Sequence, residues 1–165
     1  MSHDPEQSLS PDELARQAYN TAVKLLAFRD HSVAEITQKL TDREHNACSI
    51  ERAINQLLSD NYLNDTRYAE LYAEQRMEKG YGPLSIKANL TKRGIDKNLV
   101  QLALQKLSVD WASHAQEVIE RRFSLDEIAD TEQRITAKIA RFMHNRGFTS
   151  SDSFRALKKA RQERA

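Results

Sequence analysis

The sequence feature that most constrains the fold is a short pattern that occurs three times at nearly constant separation. It consists of isoleucine, three residues, leucine or methionine, two residues and arginine. Its copies begin 50 and 53 residues apart, at Ile36, Ile86 and Ile139. Each interval has room for about three helices of average length. The chain is therefore predicted to contain three tandem modules of three helices each.

Composition favours helix in every module. Among the 165 residues there are only four glycines and three prolines. Good helix formers such as Ala, Leu, Glu, Gln, Lys and Arg are abundant, and few positions suit tight hairpin turns. We therefore predict an all-α protein. The proposed boundaries are a disordered segment at 1–9 and modules at 10–61, 62–108 and 109–165.

Capping residues mark the predicted starts of several helices. Ser10 and Ser32 are each followed three residues later by a glutamate, which is the pattern of a capping box. Asn64 stands where the first helix of the second module should begin, and its side chain can accept a hydrogen bond from the first turn. These residues support the division into modules.

The stretch at 79–95 is rich in glycine, but it lacks both common phosphate-binding motifs, Gly-x-x-x-x-Gly-Lys-Ser/Thr and Gly-x-Gly-x-x-Gly. We therefore interpret its glycines as helix ends. Gly80 and Gly82 are predicted to permit a turn, and Gly94 to close the next helix in the left-handed conformation. Ile95 would then contact Leu90.

Glu44 departs from this pattern, because it occupies the place that Gly94 and Gly147 take in the other two copies. A residue with a side chain is disfavoured at positive φ. The first module is therefore expected to end this helix differently, with Asn46 or Ser49 capping the next helix.

Charge is unevenly distributed along the chain. The whole sequence carries a net charge of +1, but residues 133–165 contain nine basic and two acidic residues, which gives this segment +7. Such a segment is either a solvated surface or a contact for an acidic partner such as DNA. The candidate phosphate contacts are Arg134, Lys138, Arg141, Arg155, Lys158 and Lys159.

The best candidates for a metal or nucleophilic site are His31, His45 and Cys48. A structural zinc site needs four ligands, and a cysteine nucleophile needs an oriented base, and the sequence supplies neither pattern. We expect no enzymatic activity and no cofactor, and we expect Cys48 to be a small buried residue.

The sequence contains few signals of cellular location. One cysteine cannot form an internal disulfide, no apolar run approaches membrane-spanning length, and the first residues lack a basic and apolar leader. We expect a cytoplasmic protein without a membrane partner.

Several short strings together resemble the RecX family of bacterial regulatory proteins. They are Arg-Asp-His-Ser at 29–32, Tyr-Leu-Asn-Asp at 62–65, Lys-Gly-Tyr-Gly at 79–82 and Arg-Gly-Ile at 93–95, and the resemblance extends from about Ala22 to Phe148. It implies an elongated, curved array of three-helix modules without a catalytic centre. It also implies a protein that binds the RecA filament on single-stranded DNA and inhibits recombinase, strand-exchange and coprotease activity. We expect the protein to be a monomer.

Partner contacts are predicted among the basic residues, because equivalent positions in a tandem array tend to line one surface. An aromatic component of this contact surface can come from Tyr62, Tyr68, Tyr72 and Tyr81. Of these, Tyr68 and Tyr72 are better interpreted as core residues. An alternative function is direct DNA binding by the basic third module, independent of RecA. The candidate partner contacts are Arg43, Arg67, Arg76, Lys79, Lys87, Lys92, Arg93 and Arg146.

Overall fold

The computed structural model describes residues 9–163, and over this range the chain is helical without any strand. This confirms the all-α prediction. The predicted disordered segment at 1–9 lies outside the described residues, apart from Leu9. The helices are α1 Pro11–Leu26, α2 Val33–Thr41, α3 Ala47–Ser59, α4 Asp65–Glu78, α5 Pro83–Lys92, α6 Lys97–Lys106, α7 Trp111–Arg122, α8 Leu125–Ala129, α9 Gln133–Asn145 and α10 Ser150–Gln162.

None of the helices within 9–163 combines the length and the apolar character needed to cross a membrane. The chain divides into two compact units, residues 1–68 and 69–165, and the division falls within α4. We propose that the described chain retains the predicted division into modules at 10–61, 62–108 and 109–165.

The first unit has a core formed by α1, α2 and α3. Helices α1 and α2 begin as the sequence predicts, because the Ser10 and Ser32 side chains form capping boxes with Glu13 and Glu35. Asn64 accepts a hydrogen bond of 2.9 Å from the amide of Arg67 and so caps α4. The buried residues of this core are Ala18, Ala22, Ile36, Leu40, Ile50, Ala53, Ile54, Leu57 and Leu63.

The second unit contains two groups of helices. Ile86, Leu90 and Val100 are buried residues of α5 and α6, which pack against each other. Helices α7, α9 and α10, with the short α8, surround a separate core. Its buried residues are Ala115, Val118, Ile119, Phe123, Ile128, Ile139, Met143, Phe148, Ala156, Leu157 and Ala160.

The repeated pattern occupies equivalent positions in all three groups of helices. Its isoleucine is at most 1% exposed in each copy, and the leucine or methionine is fully buried. After each helix, an amide five residues further along donates back to that leucine or methionine. The bonds run from His45 to Leu40 (3.2 Å), from Ile95 to Leu90 (3.2 Å) and from Phe148 to Met143 (3.1 Å).

The prediction that the first module ends its helix differently at Glu44 is wrong. Glu44 has φ of 64°, close to the 76° of Gly94 and the 84° of Gly147, so the first copy ends its helix in the same left-handed turn. The hydrogen bond from His45 to Leu40 helps to offset a conformational cost of about 1–2 kcal/mol for a residue with a side chain. The expected cap at Asn46 is confirmed, because its side chain accepts from the amide of Ser49 at 2.8 Å.

Replacing Glu44 with glycine is expected to stabilise the first unit. The Glu44 side chain is exposed, so its removal relieves the left-handed strain without loss of packing. The gain of about 1–2 kcal/mol is partly offset by the greater freedom of glycine in the unfolded chain, which leaves a net gain of about 0.5–1 kcal/mol. Urea unfolding monitored by circular dichroism measures it. A lower unfolding midpoint for Glu44→Gly would show that this glutamate makes a stabilising contact.

The acidic connection between α7 and α9 contains a short helix, α8, which begins with a capping box between Ser124 and Glu127. Arg161 from α10 holds this connection. Its guanidinium donates to the carbonyl of Ile128 and to the hydroxyl of Thr136, each at 2.9 Å. One of the basic residues near the C-terminus therefore has a structural role.

His31 makes the stability of the first unit sensitive to pH. It is 5% exposed, its Nδ1 donates to the carbonyl of Arg29 at 2.8 Å, and burial lowers the pKa of its imidazole below 6.5. The folded protein therefore favours neutral His31, and this stabilisation is present above pH 6.5 and is lost as the pH falls through the lower folded-state pKa. The free energy of unfolding should fall less between pH 7.5 and 5.0 for His31→Gln than for the wild type. Equal pH dependence would contradict this role.

Candidate functional site

The most distinctive surface of the second unit is a row of alternating cationic and aromatic side chains, here called the cation–aromatic row. In each step a guanidinium carbon or ammonium nitrogen lies 4.7–5.8 Å from a ring centroid. These distances are within the range of cation–π attraction. In order, the row consists of Arg93, Tyr72, Arg76, Tyr81, Arg146, Phe142, Arg122, Phe123 and Lys138.

Helical spacing forms the first part of the row. Tyr72 and Arg76 are four residues apart on α4 and are therefore neighbours on one face. The Arg76 guanidinium carbon lies 5.4 Å from the Tyr72 ring and 4.7 Å from the Tyr81 ring, and its Nε donates to the Tyr72 hydroxyl at 3.0 Å. Arg93, at the end of α5, lies 5.0 Å from the Tyr72 ring.

The second part of the row uses the same spacing on α9. Phe142 and Arg146 are four residues apart, and the Arg146 guanidinium carbon lies 5.3 Å from the Phe142 ring and 4.8 Å from that of Tyr81. Arg122 lies 5.5 Å from the Phe123 ring and 5.7 Å from that of Phe142. Phe123 and Phe142 meet edge to face, with centroids 5.4 Å apart.

Backbone hydrogen bonds hold the two parts of the row together. The amide of Gly82 donates to the carbonyl of Arg146 at 2.8 Å, and that of Leu84 donates to Gly147 at 3.0 Å. The Arg146 side chain donates to the carbonyl of Lys79 at 3.0 Å. Helix α5 lacks a side-chain cap at Gly82, so the turn after α9 supplies an acceptor for its first amides.

The row retains positive charge. Arg76, Arg122 and Arg146 have no carboxylate within ion-pair distance among residues 9–163. Lys138, by contrast, lies 2.6 Å from Glu127. A guanidinium that is held against rings and lacks an anionic partner loses little conformational freedom when it binds one. The row is therefore suited to an acidic partner surface.

Arg43 and Arg67, two of the predicted contacts, belong to the first unit. Arg43 is exposed and donates to the carbonyl of Lys39 at 3.0 Å. Arg67 donates to the carbonyls of Asn61 and Tyr62, at 3.1 and 3.4 Å, in the turn after α3. The guanidinium groups of both residues therefore interact with local backbone.

Other predicted contacts lie in the second unit outside the row. Lys79, Lys87 and Lys92 are exposed at the end of α4 and along α5. Lys87 lines an open groove together with Lys97 and Trp111. Arg76, Arg93 and Arg146 are thus the predicted contacts that the fold brings into the row.

The predicted phosphate contacts divide into two sets. Lys138 and Arg155 form ion pairs with Glu127 and Asp152, at 2.6 and 3.1 Å, and Lys159 lies 3.8 Å from Glu163. Within the described part of the chain, the other three have no carboxylate partner and are exposed. They are Arg134, Arg141 and Lys158.

The candidates for metal or nucleophilic chemistry do not form a site. No three His, Cys, Asp or Glu side chains within 9–163 are arranged to hold a metal ion. Cys48 is exposed, so the expectation that it is buried is wrong. It lies in the first turn of α3 and points away from the apolar face that Ile50 and Ala53 form.

Only some residues of the row were predicted from the sequence. Tyr68 is buried as expected, but Tyr72, also expected in the core, is half-exposed and contacts two arginines. The contributions of Arg122, Phe123 and Phe142 were not predicted. The missed signal is an aromatic residue followed four positions later by arginine, which occurs at Tyr72 and at Phe142.

Comparison with known proteins identifies related sequences. A family model described as the first three-helix domain of RecX matches residues 18–57, and one described as the second three-helix domain of RecX matches residues 64–104. The regulatory protein RecX of Halorhodospira halophila is 35% identical over 144 residues, which cover 87% of this chain and 88% of that protein. That of Pseudomonas fluorescens strain Pf-5 is 36% identical over 129 residues, covering 78% and 82%.

Solved structures with a similar fold are also RecX proteins. The crystal structure of RecX from Lactobacillus salivarius has a TM-score of 0.76 and 26% identity, and the match covers 92% of this chain and 97% of that chain. A second crystal structure, of a regulatory protein RecX, has a TM-score of 0.72 and 18% identity, and the match covers 93% and 73%. At that identity the second match supports the fold alone.

Proposed function

The chain belongs to the RecX family, and on that premise we propose that it is a non-enzymatic regulator of the recombinase RecA. It binds the RecA filament on single-stranded DNA and inhibits recombinase, strand-exchange and coprotease activity. It acts as a monomer in the cytoplasm and uses no cofactor.

The observation that best supports a binding function is the cation–aromatic row. Arg76, Arg122 and Arg146 are positioned by rings and backbone bonds, and within 9–163 no carboxylate neutralises them. Arginine and tyrosine are among the residue types that are enriched at the hot spots of protein interfaces. An acidic surface on the filament can therefore form ion pairs with these three guanidinium groups.

Tandem modules suit a filament because a filament repeats its binding surface. Once one module is bound, a second module contacts the next surface at high effective concentration, so several weak contacts add up to stable binding. We therefore propose that contacts from more than one module contribute and that the filament is bound more tightly than free RecA.

The direct test is inhibition of RecA in solution. DNA-dependent ATP hydrolysis and strand exchange are measured with increasing amounts of the protein, and binding to bare single-stranded DNA is measured under the same conditions. Inhibition at concentrations that leave bare DNA unbound supports the proposal. No inhibition at saturating protein, or inhibition only where the DNA itself is covered, rejects it.

The alternative function is direct DNA binding by the basic third module. Arg134, Arg141 and Lys158 favour it, because they are exposed and have no carboxylate partner in the described part of the chain. The ion pairs of Lys138 and Arg155 count against it, because these cations are partly neutralised already.

Salt dependence distinguishes the two functions. If all six predicted phosphate contacts carried binding, affinity for DNA would fall by about a thousandfold between 50 and 200 mM salt. Filament binding through rings, hydrogen bonds and a few cations should fall much less steeply. Affinities measured at four salt concentrations by fluorescence anisotropy, on bare DNA and on filaments, give the two slopes. If affinity for the filament falls with salt as steeply as affinity for bare DNA, direct DNA binding is favoured.

A further inference from the structure

A small pocket opens beside the cation–aromatic row, where α4, α7 and α9 meet. Its volume is about 220 Å³. Small-molecule sites usually have volumes of about 300–1,000 Å³, so this pocket suits a single side chain better than a cofactor. It is lined by Glu78, Lys79, Gly80, Val118, Arg121, Arg122, Phe142 and Arg146.

The lining of the pocket is positively charged. Four of its residues are basic and one is acidic. Arg121 lies 3.1 Å from Glu117 and is therefore already paired. Lys79, Arg122 and Arg146 have no carboxylate partner among the residues that the structure describes. The pocket thus offers three cations to an anionic group.

Apolar groups accompany these cations. The Phe142 ring and the Val118 side chain line the pocket, and Arg122 and Arg146 lie 5.7 and 5.3 Å from the Phe142 ring centroid. Nearby apolar surface excludes water and strengthens the attraction of the cations for an anion. A complementary ligand therefore has an anionic end and a short apolar stem.

We propose that this pocket receives one glutamate or aspartate side chain of the protein partner. The inference rests on the proposed function and names the chemistry that anchors the filament to the row. The methylene groups of the acidic side chain lie against Phe142 and Val118, and its carboxylate lies between Arg122 and Arg146. A DNA phosphate fits less well, because it is flanked by a sugar on each side, whereas a carboxylate ends its chain.

Replacing Arg122 with glutamine tests the pocket. Arg122 is exposed at the end of α7, so the change removes a cation without opening a core. Affinity for RecA filaments, assembled on oligo(dT) with a non-hydrolysable ATP analogue, should fall at least about tenfold. Arg122→Lys, which keeps the charge, should restore part of the loss. Arg16→Gln is the matched control, because Arg16 is exposed on α1 and lies outside the row and the pocket.

A charge swap identifies the partner group. Surface Asp and Glu residues of RecA are changed one at a time to lysine, and each variant filament is tested with the wild type and with Arg122→Glu. One RecA variant should bind the wild type weakly and restore binding of Arg122→Glu. If no RecA variant restores it, or if Arg122→Gln binds as well as Arg16→Gln, the pocket is not the anchor. Absence of filament binding by the wild type would instead reject the proposed function.

Discussion

Replacing Gly147 with alanine is expected to remove a large part of the stability of the second unit. Gly147 has φ of +84°, and a Cβ atom there would lie 2.8 Å from the Cα of Ser85 and closer still to its N and Cβ. The left-handed conformation costs about 1–2 kcal/mol, and displacing a packed backbone about 1–3 kcal/mol more. A total of about 2–5 kcal/mol is substantial against a typical stability of about 5–15 kcal/mol.

Two further variants separate the causes of this loss. Gly82 has φ of −86°, which any residue adopts, but its Cβ would lie 2.6 Å from the amide nitrogen of Phe148, so Gly82→Ala tests the close approach alone. Gly94 has φ of +76° and is exposed, so Gly94→Ala tests the conformation alone. Chemical unfolding of all three measures the costs. If Gly147→Ala costs no more than Gly94→Ala, the close contact does not constrain the fold.

Reversing the charge of Arg76 is expected to weaken inhibition of RecA at least about tenfold. Arg76 lies between the rings of Tyr72 and Tyr81, so a glutamate there places a negative charge in the middle of the row. Loss of the two cation–π contacts should lower stability by only about 1–2 kcal/mol. The measurement is the concentration that halves RecA ATP hydrolysis, with the melting temperature determined for the same preparation.

Lys106→Glu is the control for Arg76→Glu. It makes the same change in net charge in the same unit, but Lys106 lies outside the row, where it pairs with Glu70 at 2.6 Å. Its inhibition should stay within about twofold of the wild type, because an exposed pair contributes little. If both variants lose inhibition equally, overall charge rather than the row determines binding.

Arg146 has a structural role as well as its proposed role in binding. The exposed position that the repeat assigns to Arg93 and Arg146 predicts that charge reversal at either residue weakens inhibition with almost no effect on thermal stability. The Arg146 guanidinium, however, donates to the carbonyl of Lys79 and lies against two rings. Arg146→Glu should therefore lower both inhibition and stability, so Arg76→Glu is the clearer functional test.

The parts of the fold that depend on local chemistry could be predicted from the sequence. Buried Ile36, Ile86 and Ile139 follow from apolar spacing, and the caps at Ser10 and Ser32 follow from side-chain type. The turn at Glu44 could not, because a weak conformational preference competes there with a hydrogen bond that only the folded turn supplies.

The candidate site was only partly predictable because it depends on residues far apart in the sequence. The pairs Tyr72 with Arg76 and Phe142 with Arg146 follow from helical spacing. The contact of Arg146 with Tyr81 joins residues 65 positions apart and requires α5 to dock on the turn after α9. The basic C-terminal segment likewise has fewer available cations than its net charge suggests, because Arg161 is partly buried and bonded to backbone and Lys138 is paired.

The most direct test of filament regulation compares three binding partners at one salt concentration. The labelled protein is titrated with RecA filaments on single-stranded DNA, with the same DNA alone and with RecA that lacks DNA and nucleotide. We expect the filament to bind at least about tenfold more tightly than either component, because only the filament offers several surfaces to the tandem modules. Equal affinity for the filament and the bare DNA would contradict filament regulation and would identify the chain as a DNA-binding protein.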